Sequence, residues 1–205
     1  MLPYWTPVAL SRDLAPLVVM PVVVDGAELA LWRSASGRIA AWADRCPHRG
    51  MRLSHGFVRG EALSCIYHGW SYAQSGQCQR IPAHPDLEPP EAIRVPVHRA
   101  MESGGVIWVA LAEPAALPPA LAGLVPLRSV TLDAPFDPAA AGLAESGGAW
   151  RGTLAGVAVA VLVQPLPENR CVLHVLADGA ATPAALVDAS RGVETLRRQA
   201  EEALA

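Results

Sequence analysis

Two short segments constrain this chain more than anything else in it. The first is Cys46-Pro47-His48-Arg49-Gly50; the second, after sixteen residues beyond His48, is Cys65-Ile66-Tyr67-His68-Gly69-Trp70. Each carries one thiol and one imidazole, and each holds a glycine that lets backbone come close to a bound group. A chain that brings both segments to one point has to be folded around them.

Three readings of the four residues compete. They suit a structural zinc site of two cysteines and two histidines. They suit a [2Fe–2S] cluster in which the cysteines hold one iron and the histidines the other. Or they are buried thiols and scattered histidines that hold nothing. Zinc sites usually keep the cysteines in one pair and the histidines in the other. Here each pair is mixed, which fits two loops that each contribute to both irons. The remaining cysteines, Cys78 and Cys171, read as ordinary buried thiols. The N-terminus lacks the basic and apolar regions of a signal peptide, and the longest apolar run, Leu154–Val163, is too short to span a bilayer. These features predict a cytoplasmic protein, where cysteines near histidines indicate metal before disulfide. A net charge of −3 without Lys/Arg blocks gives no footprint for nucleic acid.

Residues 17–112 alternate short apolar runs with turn residues, among them Asp25-Gly26, a strong hairpin signal, and Ser36-Gly37. That spacing predicts a mainly β fold, an antiparallel sandwich or small barrel. Residues 113–128 are rich in Pro and Ala and read as a linker. Residues 129–205 read as a small α+β domain, with strands over "SVTLD", "WRGTLAGVAVAVLVQP" and "RCVLHVLAD" before a terminal helix. Thr182 is its expected N-cap, with Pro183 at the first helical position and Val193, Leu196 and Ala200 at the spacing of one face.

"CPHRG" and "CIYHGW" resemble the two cluster-binding loops of Rieske proteins, and the Tyr-His-Gly-Trp ending resembles the Rieske domains of ring-hydroxylating oxygenase large subunits. The likeness extends to "YWTPVALSRDL", "IPAHPDL" and "ESGGVIWVAL", so it covers about residues 4–112. It implies a Rieske-type domain over 1–112 with a [2Fe–2S] cluster. Cys46 and Cys65 would hold the inner iron, His48 and His68 the outer one near the surface. Two neutral imidazoles in place of thiolates favour the reduced cluster, within a range of about −150 to +300 mV. Respiratory Rieske proteins carry an extra cysteine in each loop, where this chain has Met51 and Tyr67, and a serine where it has Trp70. Losing that hydroxyl predicts a potential near the low end. Trp70 and Tyr72 are expected to shield the cluster. His55 is expected to be a loop residue, since both ligand pairs are already complete. His84 and His98 are expected at the surface or in loops, and Arg49 either covers the cluster loop or meets solvent.

The large-subunit oxygenases also carry a mononuclear iron held by two histidines and a carboxylate. Beyond residue 112 this chain has a single histidine, His174. The C-terminal part resembles, without a diagnostic motif, a shortened end of the oxygenase catalytic domain. The leading expectation is therefore an electron carrier with no catalytic residue of its own. It would take electrons from a flavin reductase or ferredoxin and pass them to an oxygenase-type partner. The alternative is a terminal oxygenase component, a hydroxylase or demethylase, whose mononuclear iron a partner subunit supplies. The resemblance is compatible with a homo-oligomer. A redox sensor is the third reading, and no DNA-binding signature supports it.

Overall fold

The computed structural model describes residues 4–203. The chain is mainly β, with one helix near its C-terminus, and it divides into two compact units. The first holds Asp13–Met101 and Val109–Glu113. The second holds Trp5–Arg12, Glu102–Trp108 and the residues from Pro114 onward.

In the chain's order the strands are β1 (Thr6–Leu10), β2 (Val19–Val24), β3 (Ala27–Arg33), β4 (Ile39–Ala43), β5 (Phe57–Arg59), β6 (Ala62–Ser64), β7 (Ser71–Ala73) and β8 (Cys78–Arg80). They continue as β9 (Val97–Ser103), β10 (Val106–Ala110), β11 (Leu124–Leu132), β12 (Ala144–Ser146), β13 (Ala149–Leu154), β14 (Val157–Leu166) and β15 (Arg170–Asp178). Helix α1 spans Pro183–Glu202.

In the first unit β9, β4, β3 and β2 lie side by side in that order, and β5-β6-β7-β8 form a second antiparallel sheet. Asp25 and Gly26 both take positive φ in the predicted turn between β2 and β3, as a two-residue hairpin requires. Trp32, Trp42, Tyr72, Leu53 and Leu63 are fully buried in one core, and Cys46, Cys65 and Cys78 lie in that same core. The loops that carry the histidines therefore start from the hydrophobic centre of the unit.

In the second unit five antiparallel strands run β11-β15-β14-β13-β12. Alternate residues of β14 and β15 point to two different cores. Val159, Val161, Leu173 and Val175 meet Ala189 and Val193 of α1, while Ala160, Leu162 and Leu176 meet Leu10, Val106 and Trp108. A strand covered on both faces needs no polar alternation, which is why "VAVAVLV" is an unbroken apolar run. Burial of that second face also explains why residues 5–12 and 102–108 group with the C-terminal part, although the sequence reading placed them within the 1–112 domain.

Several elements differ from expectation. The stretch read as linker is partly strand, since β11 begins at Leu124. The segment read as one strand over 150–165 is a hairpin, with Ala155 and Gly156 at φ 48° and 79°. An alanine at φ > 0 is not a turn signal, so apolar continuity concealed the break. The helix start is as expected: Thr182 Oγ1 accepts from Ala185 N at 3.3 Å, with Pro183 directly after it. Val193 and Leu196 are buried, and Ala200 packs against the same core. Among the described residues no helix is long and apolar enough to cross a membrane.

Candidate functional site

The two predicted segments have the same backbone frame. Gly50 N donates to Cys46 O at 2.8 Å, and Cys46 N donates to Met51 O at 2.8 Å. In the second segment Gly69 N donates to Cys65 O at 3.0 Å, and Cys65 N to Trp70 O at 2.9 Å. Both glycines sit at φ 70°, in the left-handed region that a side chain disfavours. The bonds fold each segment back on its cysteine. The thiol stays in the core while the histidine, two or three residues on, is carried outward.

The loops meet like with like. The Cys46 and Cys65 thiols are both buried in the same core, near enough that Cys46 raises the Cys65 thiol's pKa. The His48 and His68 rings lie 4.6 Å apart, His48 half-buried and His68 exposed. Each close pair takes one residue from each loop. Trp70 stacks on His48 at 4.4 Å with planes 3° apart, and Tyr67 lies 3.9 Å from the His68 ring. Among the described residues no three His, Cys, Asp or Glu side chains converge on one point suited to a single ion. A two-iron cluster asks for two protein ligands per iron, and an inner thiol pair with an outer imidazole pair fits that demand.

The electrostatics agree with this division. Burial pushes the Cys65 thiol up; the backbone amides of Tyr67 and His68 oppose that, and Cys46 beside it raises it further. Backbone donors aimed at a buried sulfur stabilise its negative form. His48 titrates below its ordinary value through desolvation, then the neighbouring His68, then Arg49. A neutral imidazole has a nitrogen lone pair to offer a metal.

Tyr72, expected only to shield, does more: its hydroxyl lies 3.1 Å from Cys46 Sγ, completely buried. Burial, then the contact with Cys46, holds its phenol far above the usual range, so it stays a hydroxyl. A buried phenol needs a partner for its O–H, and this was the available signal: Tyr72 lies on a strand between the exposed loop and the core. Trp32 and Trp42 bury their indole N–H groups in the same core without an acceptor among the described residues. Arg49 is exposed, as is His55, on the short 3-10 turn Leu53–His55; His84 is exposed and His98 half-buried. Cys78 is buried in the same core as the two loop cysteines, and Cys171 is buried in the second unit.

Residues 4–96 match the family model described as the Rieske [2Fe–2S] domain. The oxidoreductase NdmD of Pseudomonas putida is 42% identical over 142 residues, which cover 65% of this chain and 24% of that protein. The 4beta-methylsterol monooxygenase of Methylococcus capsulatus is 38% identical over 116 residues, 55% of this chain and 31% of that protein. The chain thus spans about a quarter to a third of the length of these relatives. Among solved structures, apo dicamba monooxygenase superposes with a TM-score of 0.76 at 19% identity, covering 98% of this chain and 85% of that one. NdmA of Pseudomonas putida CBB5 superposes with a TM-score of 0.74 at 20% identity, covering 97% and 81%. At that identity the likeness is one of fold.

Proposed function

We propose that this chain, whose residues 4–96 match the Rieske [2Fe–2S] domain, is an electron carrier, taking single electrons from a reductase and passing them to an oxygenase-type partner. The observation that carries the reading is the grouping across the loops, both thiols buried in one core and both imidazoles in contact outside it. Cys46 and Cys65 would hold the inner iron, and His48 and His68 the outer one. When bound, the cluster supplies one-electron chemistry at a potential that the protein sets. Tyr72 donates to the Cys46 sulfur and keeps water from it, together with the core around it. Trp70 and Tyr67 flank the imidazoles and fix their rings. The partly exposed histidine pair gives an electron its shortest way out. Ile66 and Tyr67, 57% and 54% exposed beside His68, offer apolar surface at that exit, where a transient redox partner would touch. A flavin reductase or ferredoxin suits the donor role, in a cytoplasm that keeps Cys78 and Cys171 as thiols.

A second reading is favoured by the names of the relatives. The 4beta-methylsterol monooxygenase and the methylxanthine N1-demethylase NdmA both align over about half of this chain. On that reading the chain is one component of a terminal oxygenase. Iron and acid-labile sulfide per chain in anaerobically purified protein, with an EPR spectrum of the reduced form, separate the two. Two irons, two sulfides and a Rieske signal are expected. A third iron without sulfide would move the assignment to an oxygenase component, and iron without sulfide would end the cluster assignment altogether.

A further inference from the structure

The two ligand loops share a backbone frame but are anchored differently. The second loop is the end of a β-hairpin: Ser64 pairs with Ser71 on the adjoining β6 and β7, directly outside Cys65 and Trp70. The first loop has no such ladder. β4 leads into it and pairs with β3 and β9, whereas β5, which follows it, pairs with β6. Its ends are joined instead by side chains. Asp44, 0% exposed, accepts from Ser54 N at 2.7 Å through Oδ1 and from Ser54 Oγ at 2.6 Å through Oδ2. Asp44 N donates to Glu28 O on β3 at 3.0 Å, tying the carboxylate's own backbone to the sheet. Arg52, inside the loop, bonds the Glu28 carboxylate and brings Nη1 to 3.9 Å from Asp44 Oδ2. Arg45 reaches the same Glu28 at 3.8 Å.

A carboxylate removed from water is strongly unfavourable unless it is hydrogen-bonded and paired. Retaining one here, with both oxygens bonded to a residue ten positions on, spans the segment that contains Cys46 and His48. We propose that Asp44 is a positioning residue: its double bond to Ser54 closes the first loop and so sets the placement of Cys46 and His48 around the cluster. Asp44 touches neither iron nor sulfide in this role; it acts through the loop, and through the fixed negative charge it brings beside it. The inference rests on the ligand assignment proposed above.

The test uses the full-length, cluster-loaded protein and the variants Asp44→Asn, Asp44→Ala and Ser54→Ala. Three quantities are read: the rate of iron release to a chelator, the EPR g-values of the reduced form, and the midpoint potential. Hydrogen bonds to a charged group are each worth about a factor of ten or more. Asp44→Ala is therefore expected to release iron about tenfold faster or more, with shifted g-values. Ser54→Ala, which keeps the backbone bond, is expected to do the same to a smaller degree. Asp44→Asn keeps an acceptor for Ser54 but removes a negative charge, so it should load fully and shift to higher potential, since added electrons are then less opposed. A merely structural role would lower yield and melting temperature without moving g-values or potential in the loaded fraction. If Asp44→Ala does not fold, the other two variants decide. Parental release rates, g-values and potential in Asp44→Asn and Ser54→Ala would overturn the inference while the parent's Rieske signal kept the ligand assignment. A parent without that signal would overturn both.

Discussion

The hydroxyl of Tyr72 on the Cys46 sulfur is a single atom with a measurable effect. A donor to a thiolate ligand is worth more when the site has gained an electron, because the sulfur then carries more negative charge. Tyr72→Phe keeps the ring in the core and removes only that donor. Its midpoint potential should fall by tens of mV, on the order of 1 kcal/mol for one electron, with cluster content unchanged; a redox titration followed by EPR measures it. An unchanged potential would mean that the hydroxyl does not donate to the sulfur in the loaded protein. The sequence reading placed the potential near the low end because Trp70 stands where respiratory relatives have serine; the Tyr72 bond acts in the opposite direction. Among the proposed ligands, His68→Cys should retain iron at a lower potential, since a thiolate replaces a neutral ring. Cys65→Ala should lose the visible spectrum. Motif spacing was enough to nominate the four ligand residues. It could not show the Tyr72–Cys46 or Asp44–Ser54 bonds, because the bonded residues lie 26 and 10 positions apart and only the folded chain brings them together.

At the scale of elements, local chemistry decided what could be read. The Asp25-Gly26 turn and the Thr182-Pro183 helix start were legible because each residue type has a backbone reason to be there. The β13–β14 turn was not, because Ala155 at φ 48° is a strained choice that the strand pairing on both sides enforces. The energy cost is testable. A left-handed non-glycine residue costs about 1 kcal/mol or more, so Ala155→Gly should stabilise the protein by roughly 0.5–1 kcal/mol after allowing for the greater entropy of an unfolded glycine. A lower melting temperature would show that Ala155 packs in a way its position in an exposed turn does not suggest. The start of β11 inside the Pro/Ala-rich stretch was hidden for a related reason. Pro126 sits at the register shift between Pro126 and Arg128, where a missing N–H does no harm to the ladder.

At the scale of the whole molecule, the two units have separate cores and should answer to different perturbations. The first unit's core contains the thiols proposed to hold the cluster. The second unit's sheet buries His174, 2% exposed, with Nδ1 at 2.9 Å from Ser129 Oγ and Nε2 at 3.0 Å from Gln164 Oε1. With Gln164 Oε1 accepting, the proton sits on Nε2, and Nδ1 accepts from the Ser129 hydroxyl. Burial lowers this histidine's pKa to about 4, against a smaller opposing effect of the Pro7 backbone. A histidine in the unfolded chain binds its proton near pH 6.5. Between those values the unfolded state holds more protons, so stability contributed at this site is complete above about pH 6.5 and is lost as pH falls towards 4. The full effect is on the order of 3 kcal/mol. Calorimetry should therefore resolve two responses. Chelating the iron should lower the transition of the first unit at constant pH, and acidification from pH 7 to 5 should lower that of the second. His174→Gln cannot take up that proton, so it should flatten the second dependence while leaving the chelator response intact. A single transition that moves as one under both treatments would show instead that the two cores melt cooperatively, and that iron release is felt throughout the chain.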